Sequence, residues 1–510
     1  QWILQSGIEE SRPWFEVGID GTGQVVTVSD SGLDMNNCYF YDANGNINRW
    51  GIANPNKRKV IQYVPVGDST EDITGHGTHV CGTVAGRKTV DGVSGTTGIA
   101  DGIARGAKLT MVDIFRGEQV NLPFQIDQYL FEPGQRVGSK IHSASWGGMA
   151  IEYAILDRGF DSYSFDNPDY LIIAAAGNDG IRCLVSSVPC PPYAIEFDSP
   201  KTVGTPSTSK NVIAVGATES WGHELNEPLM LGFDYLAYFS SRGPTLDGRT
   251  KPDIVAPGYN ILSAQSHVRT GEFSCDSYND GNTFMAGTSM ATPAVSGTAA
   301  LVRQYFEEGY YPSGQKTVGD EMMPSAALVK AVLMNGAQYL KGVNNFGKIT
   351  NVAPYDNAQN FGRVNLMNSL HLAGSGNMKI MVINDSVQDE KENLVKITIS
   401  LTEECTSKTL SATLVWTDEA GYPGCTRCLV NDLDLYVATS STNPPASEDL
   451  AQKTFYPNGL EFRDSVNNAE RVQVSAVDGQ KFSIGVVGTN LNRDELDYAL
   501  VVTGCFPVDK

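Results

Sequence analysis

The sequence predicts an α/β domain followed by an all-β sandwich, and three observations carry that expectation. Short apolar runs rich in Val, Ile and Ala, such as Val25-Val26-Thr27-Val28-Ser29-Asp30 and Leu171-Ile172-Ile173-Ala174-Ala175-Ala176, run straight into polar or Gly turns, as buried strands do. Residues 289 to about 306 and 326 to 338 instead carry apolar side chains at helical spacing. After residue 377 the pattern switches to period two, with six or more short strands over about 135 residues, which argues a β-sandwich or jelly roll. The switch follows Ala373-Gly374-Ser375-Gly376-Asn377, a linker by composition. The predicted division is therefore 1–372, a linker at 373–377, and 378–510.

Taken in order, residues 1–22 read as a lead-in with a short helix near Pro13-Trp14. The first buried strand ends on Asp30. Residues 34–72 are polar, Asn-rich and aromatic, and read as a long surface insertion. Gly75-His76-Gly77-Thr78-His79-Val80-Cys81-Gly82 opens a helix with small residues along one face, so it can approach a neighbour closely. Residues 98–113 read as turn, then strand, and 115–120 follow on toward a cleft. Loops fall at 181–202 and 219–235. Residues 326–338 form an amphipathic helix, and Gly362-Arg363-Val364-Asn365 leads into a last short helix ending near Leu372. The period-two strands fall at 394–401, 411–417, 433–437, 471–474, 482–487 and 498–503.

Composition narrows the function classes. At 510 residues the chain has room for two or three domains, and 41% apolar content is ample for their cores. No apolar run approaches the roughly 18 residues of a membrane span. A formal charge of −21 argues against nucleic acid as a partner. It suits a secreted protein and leaves carboxylates for a hard cation such as calcium, a plainly acidic surface being the alternative. Nine cysteines are few for this length, and several fall on predicted loops, which favours disulfides and an oxidising compartment. The candidates are Cys183 with Cys190, Cys425 with Cys428, and Cys405 with Cys505. Cys81 is the candidate free thiol, and Cys38 and Cys275 can pair or stay free.

Three stretches carry chemistry. In Phe284-Met285-Ala286-Gly287-Thr288-Ser289-Met290-Ala291-Thr292-Pro293, Ser289 falls at a helix N-terminus, where free N–H groups and the dipole favour developing negative charge. Pro293 is placed in the first turn. Ser289 is then either a nucleophile or a plain N-cap. Asp30 sits at the C-terminal end of a strand, the edge where open α/β sheets place ligands and catalytic groups, although a lone Asp-Ser-Gly also reads as a turn. His76 and His79 are two of only six histidines. A metal reading lacks support, because no HExxH is present and Cys81 has no CxxC partner.

Asp30, His76 and Ser289 in this order, each in its own motif, resemble the subtilisin-like serine proteases, the subtilases. The likeness covers about 1–372. It extends to Ile141-His142-Ser143-Ala144-Ser145-Trp146-Gly147-Gly148 and to Leu171-Ile172-Ile173-Ala174-Ala175-Ala176-Gly177-Asn178-Asp179-Gly180, and residues 211–217 and 251–258 look like the family's core strands. It implies a parallel sheet with helices on both faces. It implies Ser289 as nucleophile, His76 as base and then acid, Asp30 as the group that orients His76, and Asn178 with the Ser289 N–H as the oxyanion hole. Ser143, Ser145, Trp146 and Gly147 correspond to the substrate-binding segment, with Trp146 walling an apolar subsite or lying in the core. Ala174, Ala175, Ala176 and Gly177 would floor the P1 pocket, with a large apolar P1 preferred and a basic one, drawn by Asp179, second. Residues 115–120 and 143–147 would offer two strand edges to an extended peptide.

The resemblance also implies protein and peptide substrates, a monomer, no redox or organic cofactor, and a secreted zymogen with an inhibitory propeptide that acts during maturation. Gln1-Trp2-Ile3-Leu4-Gln5-Ser6 is neither basic nor long enough for a signal peptide, so the chain is read as the processed form. The 378–510 region resembles the β-domain of alkaline subtilases of the KP type, through Leu414-Val415-Trp416-Thr417-Asp418 and Leu429-Val430-Asn431-Asp432-Leu433-Asp434-Leu435-Tyr436-Val437. Asp432 and Asp434 share a strand face and either hold calcium or are solvated. Two rivals remain: a lipase-like esterase, whose His would have to be His371, and a non-catalytic binding protein.

Overall fold

The computed structural model describes residues 1–183, 195–220, 229–270, 281–374, 378–439 and 453–507. Ten strands form the main sheet: β1 Val25–Asp30, β2 Val60–Pro65, β3 Lys108–Asp113, β4 Ile141–Ala144, β5 Leu171–Ala175, β6 Ile213–Thr218, β7 Tyr235–Ala237, β8 Ile254–Pro257, β9 Gly342–Asn345 and β10 Lys348–Thr350. Their order is β10-β9-β7-β6-β5-β4-β1-β3-β2, with β8 also beside β6. From β2 through β6 every pairing is parallel. The C-terminal ends of β1, β4 and β5 therefore open on one edge, which delivers Asp30, Ser145 and Asn178 to the same rim.

Alternation along the strands gives the sheet two buried faces. Ile173 points into the core shared with α1 (His76–Ala85), α3 (Thr288–Glu307) and α4 (Ala326–Asn335). Ile172 and Ala174 point into the opposite core, with Phe160 and Tyr163 of α2 (Ile155–Asp166). Helices thus cover both faces, as expected. The α3 helix is buried over almost its whole length. Small residues allow it: a Cβ on Gly297 would come within 2.6 Å of Ile103 Cβ.

From residue 379 the chain forms two four-stranded antiparallel sheets. One has the order β11 (Lys379–Gln388), β18 (Glu495–Gly504), β13 (Thr409–Val415), β16 (Ala469–Ser475). The other has β12 (Glu392–Thr398), β17 (Lys481–Asn490), β14 (Asp432–Thr439), β15 (Thr454–Phe455). Leu410, Leu414, Leu433, Leu435, Ile484 and Leu500 fill the space between them. The 375–377 part of the expected linker lies outside the described residues. Cys405–Cys505 and Cys425–Cys428 are disulfides, with Cα atoms 5.6 and 5.3 Å apart. Cys38 is disulfide-bonded, and Cys81 is a buried free thiol. Cys190, Cys275 and the Cys183 side chain lie outside the described residues.

The two regions share a core. Ala499 and Val501 of β18 face the core of the α/β region, while Leu500 and Val502 face the sandwich. A strand buried on both faces explains the unbroken apolar run Ala-Leu-Val-Val. The first β-sheet lies on α4. There Asn335 accepts hydrogen bonds from Ser411 Oγ (3.0 Å) and Thr413 Oγ1 (2.9 Å), and donates to Thr503 Oγ1 (2.8 Å). Lys210 and Asp418 form an ion pair across the same junction, with no solvent exposure of either side chain.

Candidate active site

Asp30 ends β1 and is fully buried. Its Oδ1 accepts hydrogen bonds from His76 Nδ1 at 2.7 Å and from the Ser31 N–H at 2.8 Å. His76 is the first residue of α1, and 28% of its side chain reaches solvent. Small residues let α1 approach the Asp30 turn, where a Cβ on Gly77 would come within 2.1 Å of Gly32 O. Burial pulls the His76 pKa down. The Asp30 charge and hydrogen bond, with Glu71 and Asp72 nearby, outweigh it and hold the pKa up at about 9. His79 is a core histidine. Its Nε2–H is shared between Ile261 O (3.0 Å) and Thr283 O (3.2 Å), and burial brings its pKa down to about 3.

Ser289 is the second residue of α3, which packs directly on α1. Its hydroxyl donates to Ser145 O at 3.0 Å rather than to His76. Ser145 Oγ returns a bond to Ser289 O at 2.8 Å. Pro293 explains that second bond and corrects its expected place. It lies in the second turn, not the first, because α3 already begins at Thr288. A residue there would normally donate its N–H to Ser289 O, four positions back. Pro has none, so the carbonyl is open to Ser145.

Asn178 follows β5. Its Oδ1 accepts from the Thr288 N–H at 2.9 Å and Thr288 Oγ1 at 3.0 Å. A backbone N–H can only donate, so these bonds fix the amide and turn Nδ2 outward. Gly287, at φ 153°, completes the arrangement. A Cβ there would lie 3.4 Å from Asn178 Nδ2 and 3.6 Å from Ser289 N, so the two donors flank one spot. Two N–H groups around one point beside a serine at a helix N-terminus can hold a developing oxyanion.

The expected substrate segment divides. Gly147 is exposed and offers backbone, whereas Ser145 is buried in its exchange with Ser289. Ser143 is inside the sheet with its Oγ unpartnered, so its side chain cannot meet a substrate. Trp146 is 7% exposed and mainly core. Its Nε1 donates to Ser29 Oγ at 2.8 Å, which also meets His142 Nε2 at 2.8 Å. Of the pocket floor, Ala174 and Ala176 are fully buried, while Ala175 and Gly177 touch the surface. The 115–120 segment folds on itself as a two-stranded hairpin, Phe115–Arg116 with Gln119–Val120.

The remaining candidates lie elsewhere. His371 is bound through its carbonyl to the Tyr305 hydroxyl at 2.8 Å. Tyr305 is sixteen residues along α3 from Ser289, or roughly 24 Å, which removes the esterase reading. Asp432 and Asp434 are buried, each with one oxygen facing an arginine at 3.3 Å, Arg427 and Arg463 respectively. Their Oδ1 atoms are buried without a partner. Among the described residues no three His, Cys, Asp or Glu side chains are grouped to hold a metal. Sequence reasoning missed Glu71, buried below Asp30 and His76, because an acid in a polar insertion looks like a surface acid.

The chain is similar to known serine proteases. The chain is 27% identical over 585 residues to the serine protease/ABC transporter B family protein tagB of Dictyostelium discoideum, covering 96% of this chain and 30% of that protein. It therefore spans about a third of that relative's length. It is 32% identical to the serine protease AprX of Bacillus subtilis over 56% of this chain and 58% of AprX. It is 28% identical to subtilisin BL of Lederbergia lenta over 56% of this chain and 78% of that protein. Residues 21–376, which hold Asp30, His76, Asn178 and Ser289, match the model of the subtilase family of S8 peptidases, and the chain belongs to that family.

Proposed function

We propose that the chain is a serine endopeptidase that hydrolyses peptide bonds in proteins, with Asp30, His76 and Ser289 as its triad. The observation that carries the reading is the 2.7 Å Asp30–His76 bond on a helix packed against the one that begins at Thr288-Ser289. In this reading substrate binding turns the Ser289 hydroxyl from Ser145 O to His76 Nε2. His76 takes the proton as Oγ bonds to the scissile carbonyl carbon, and the oxyanion is held by Asn178 Nδ2 and the Ser289 N–H. The proton then passes to the leaving amine, giving an acyl-enzyme. Water, deprotonated by His76, attacks the acyl carbon, and Ser289 leaves with its proton restored.

Ala175 and Gly177 at the pocket floor support a large apolar P1 residue. A digest of a diverse peptide library, mapped by mass spectrometry, tests both points. Cleavage after Phe, Tyr, Leu or Met is expected. Cleavage mainly after Lys or Arg would favour Asp179 as the selecting group, and no cleavage by the native chain would remove the endopeptidase reading.

The disulfides support a secreted protein, and the mature protease is taken as a monomer released from a propeptide. We also infer a structural calcium at Asp432 and Asp434. Their unpartnered Oδ1 atoms fit a hard cation whose other ligands are backbone and water oxygens. Burial, then the neighbouring Asp434, raises Asp432 to about 7, the strain a cation would relieve. Asp418, of the same type, is already committed to Lys210 and to Asn431. Chelation should lower the unfolding midpoint of the native chain and leave D432N/D434N unaffected. An equal midpoint with and without EDTA would exclude the ion.

A further inference from the structure

Glu71 is 6% exposed and lies where three segments of the site meet. All the bonds to its carboxylate run inward. Oε1 accepts from Ser31 Oγ at 2.8 Å and the Asp72 N–H at 2.9 Å. Oε2 accepts from the Thr78 N–H at 2.7 Å and from Thr78 Oγ1. Ser31 Oγ also accepts from the Gly77 N–H at 2.9 Å, and Thr78 Oγ1 from the Asp34 N–H at 2.8 Å. The α1 helix has Gly75 at its N-cap and no side-chain cap of its own. Its orphan N–H groups at Gly77 and Thr78 are satisfied from outside, by Ser31 and Glu71. Ser31 is also the residue whose N–H holds the Asp30 oxygen that binds His76.

We propose that ionised Glu71 is a positioning residue of this active site: it caps the His76 helix from outside, fixes that helix to the Asp30 turn, and adds a negative charge that favours the imidazolium. The inference rests on the triad reading above. Four donors already occupy the carboxylate, so a proton on Glu71 would displace one of them. The ionisable groups around it are Asp30 from β1, Tyr63 from β2, Asp113 from β3, Asp72 in its own loop, and His76 and Cys81 from α1. Burial, opposed by its hydrogen bonds and aided by Asp30, raises its pKa to about 7.

The sign follows. Activity needs neutral His76 and is raised by ionised Glu71, so the rate rises with pH. Removing the Glu71 charge lets His76 lose its proton at lower pH.

The test is the pH profile of kcat/KM for Glu71→Gln and Glu71→Asp, with His76 titrated by NMR in the same variants carrying Ser289→Ala. Gln should lower the plateau several-fold with KM little changed, and move the acid limb to lower pH by roughly half a pH unit or more. Asp keeps the charge but not the reach, so its plateau falls with the limb in place. A Gln limb and His76 titration that coincide with the wild type would overturn the electrostatic role. A Gln plateau equal to the wild type would overturn the positioning role. The NMR titration decides even if the native chain hydrolyses nothing, a result that would count against the triad reading instead. Should the Gln variant fail to fold, the Asp variant carries the decision: a plateau equal to the wild type overturns the proposal.

Discussion

Ser289→Ala is expected to abolish peptide hydrolysis, with kcat falling by about 10⁶-fold, the size known from the equivalent change in subtilisin. The reason is local. Two hydroxyls, Thr288 and Ser289, stand at the N-terminal turn of α3 beside the Asn178 amide, on the helix packed against the His76 helix. Thr288 is committed to Asn178 and to the Gly177 N–H. Removing the Ser289 oxygen costs one weak bond, to Ser145 O, so stability should change little. The check is single-turnover hydrolysis of a chromogenic peptide beside thermal unfolding of the same protein. Rates within tenfold of the native chain would sink the assignment of Ser289 as nucleophile.

Arg471→Ala should be the most damaging change for stability, by about 3–5 kcal/mol. Its guanidinium leaves β16 and enters the other region. It donates to Met334 O (2.6 Å), Ala337 O (3.3 Å), Phe361 O (3.1 Å) and the hydroxyls of Tyr339 (2.7 Å) and Tyr355 (3.1 Å). The rings of Tyr339, Tyr355 and Phe361 surround it at about 5 Å. Met334 lies in the last turn of α4, where carbonyls have no partner within the helix and the dipole is negative. Alanine would orphan these buried acceptors and leave a cavity. Lysine should recover part of the loss, since a point charge reaches fewer of them. Denaturant unfolding in the Ser289→Ala background, where self-digestion is absent, measures it. A loss under 1 kcal/mol would show the junction to be loose.

The candidate site was largely legible because its groups sit in long local patterns. Asp30 ends an apolar run, Ser289 follows a Gly-Thr turn into a helix, and Asn178 follows an alanine strand. Each pattern reports the backbone that places the residue. What was hidden depends on contacts between distant segments. Glu71 acts through Ser31 and Thr78, and nothing in the polar 34–72 stretch distinguishes it. Arg471 reads as an ordinary polar position of a strand until its partners, more than a hundred residues away in sequence, are known. Residues 379–388 escaped as a strand because Asn384-Asp385-Ser386 breaks the alternation at a partly exposed edge. The placing of Ser143 in a cleft failed for the reverse reason: its motif fixes the strand, but its side chain falls on the sheet's interior.

The doubly buried strand β18 also bears on the order of synthesis. Among the described residues it is the last strand in sequence, and α4, which it supports, rests in turn on α3. While a ribosome extends the chain past Ser289, that backing does not yet exist. The wall behind Ser289 is finished only when residues 495–504 emerge and slot between the two cores.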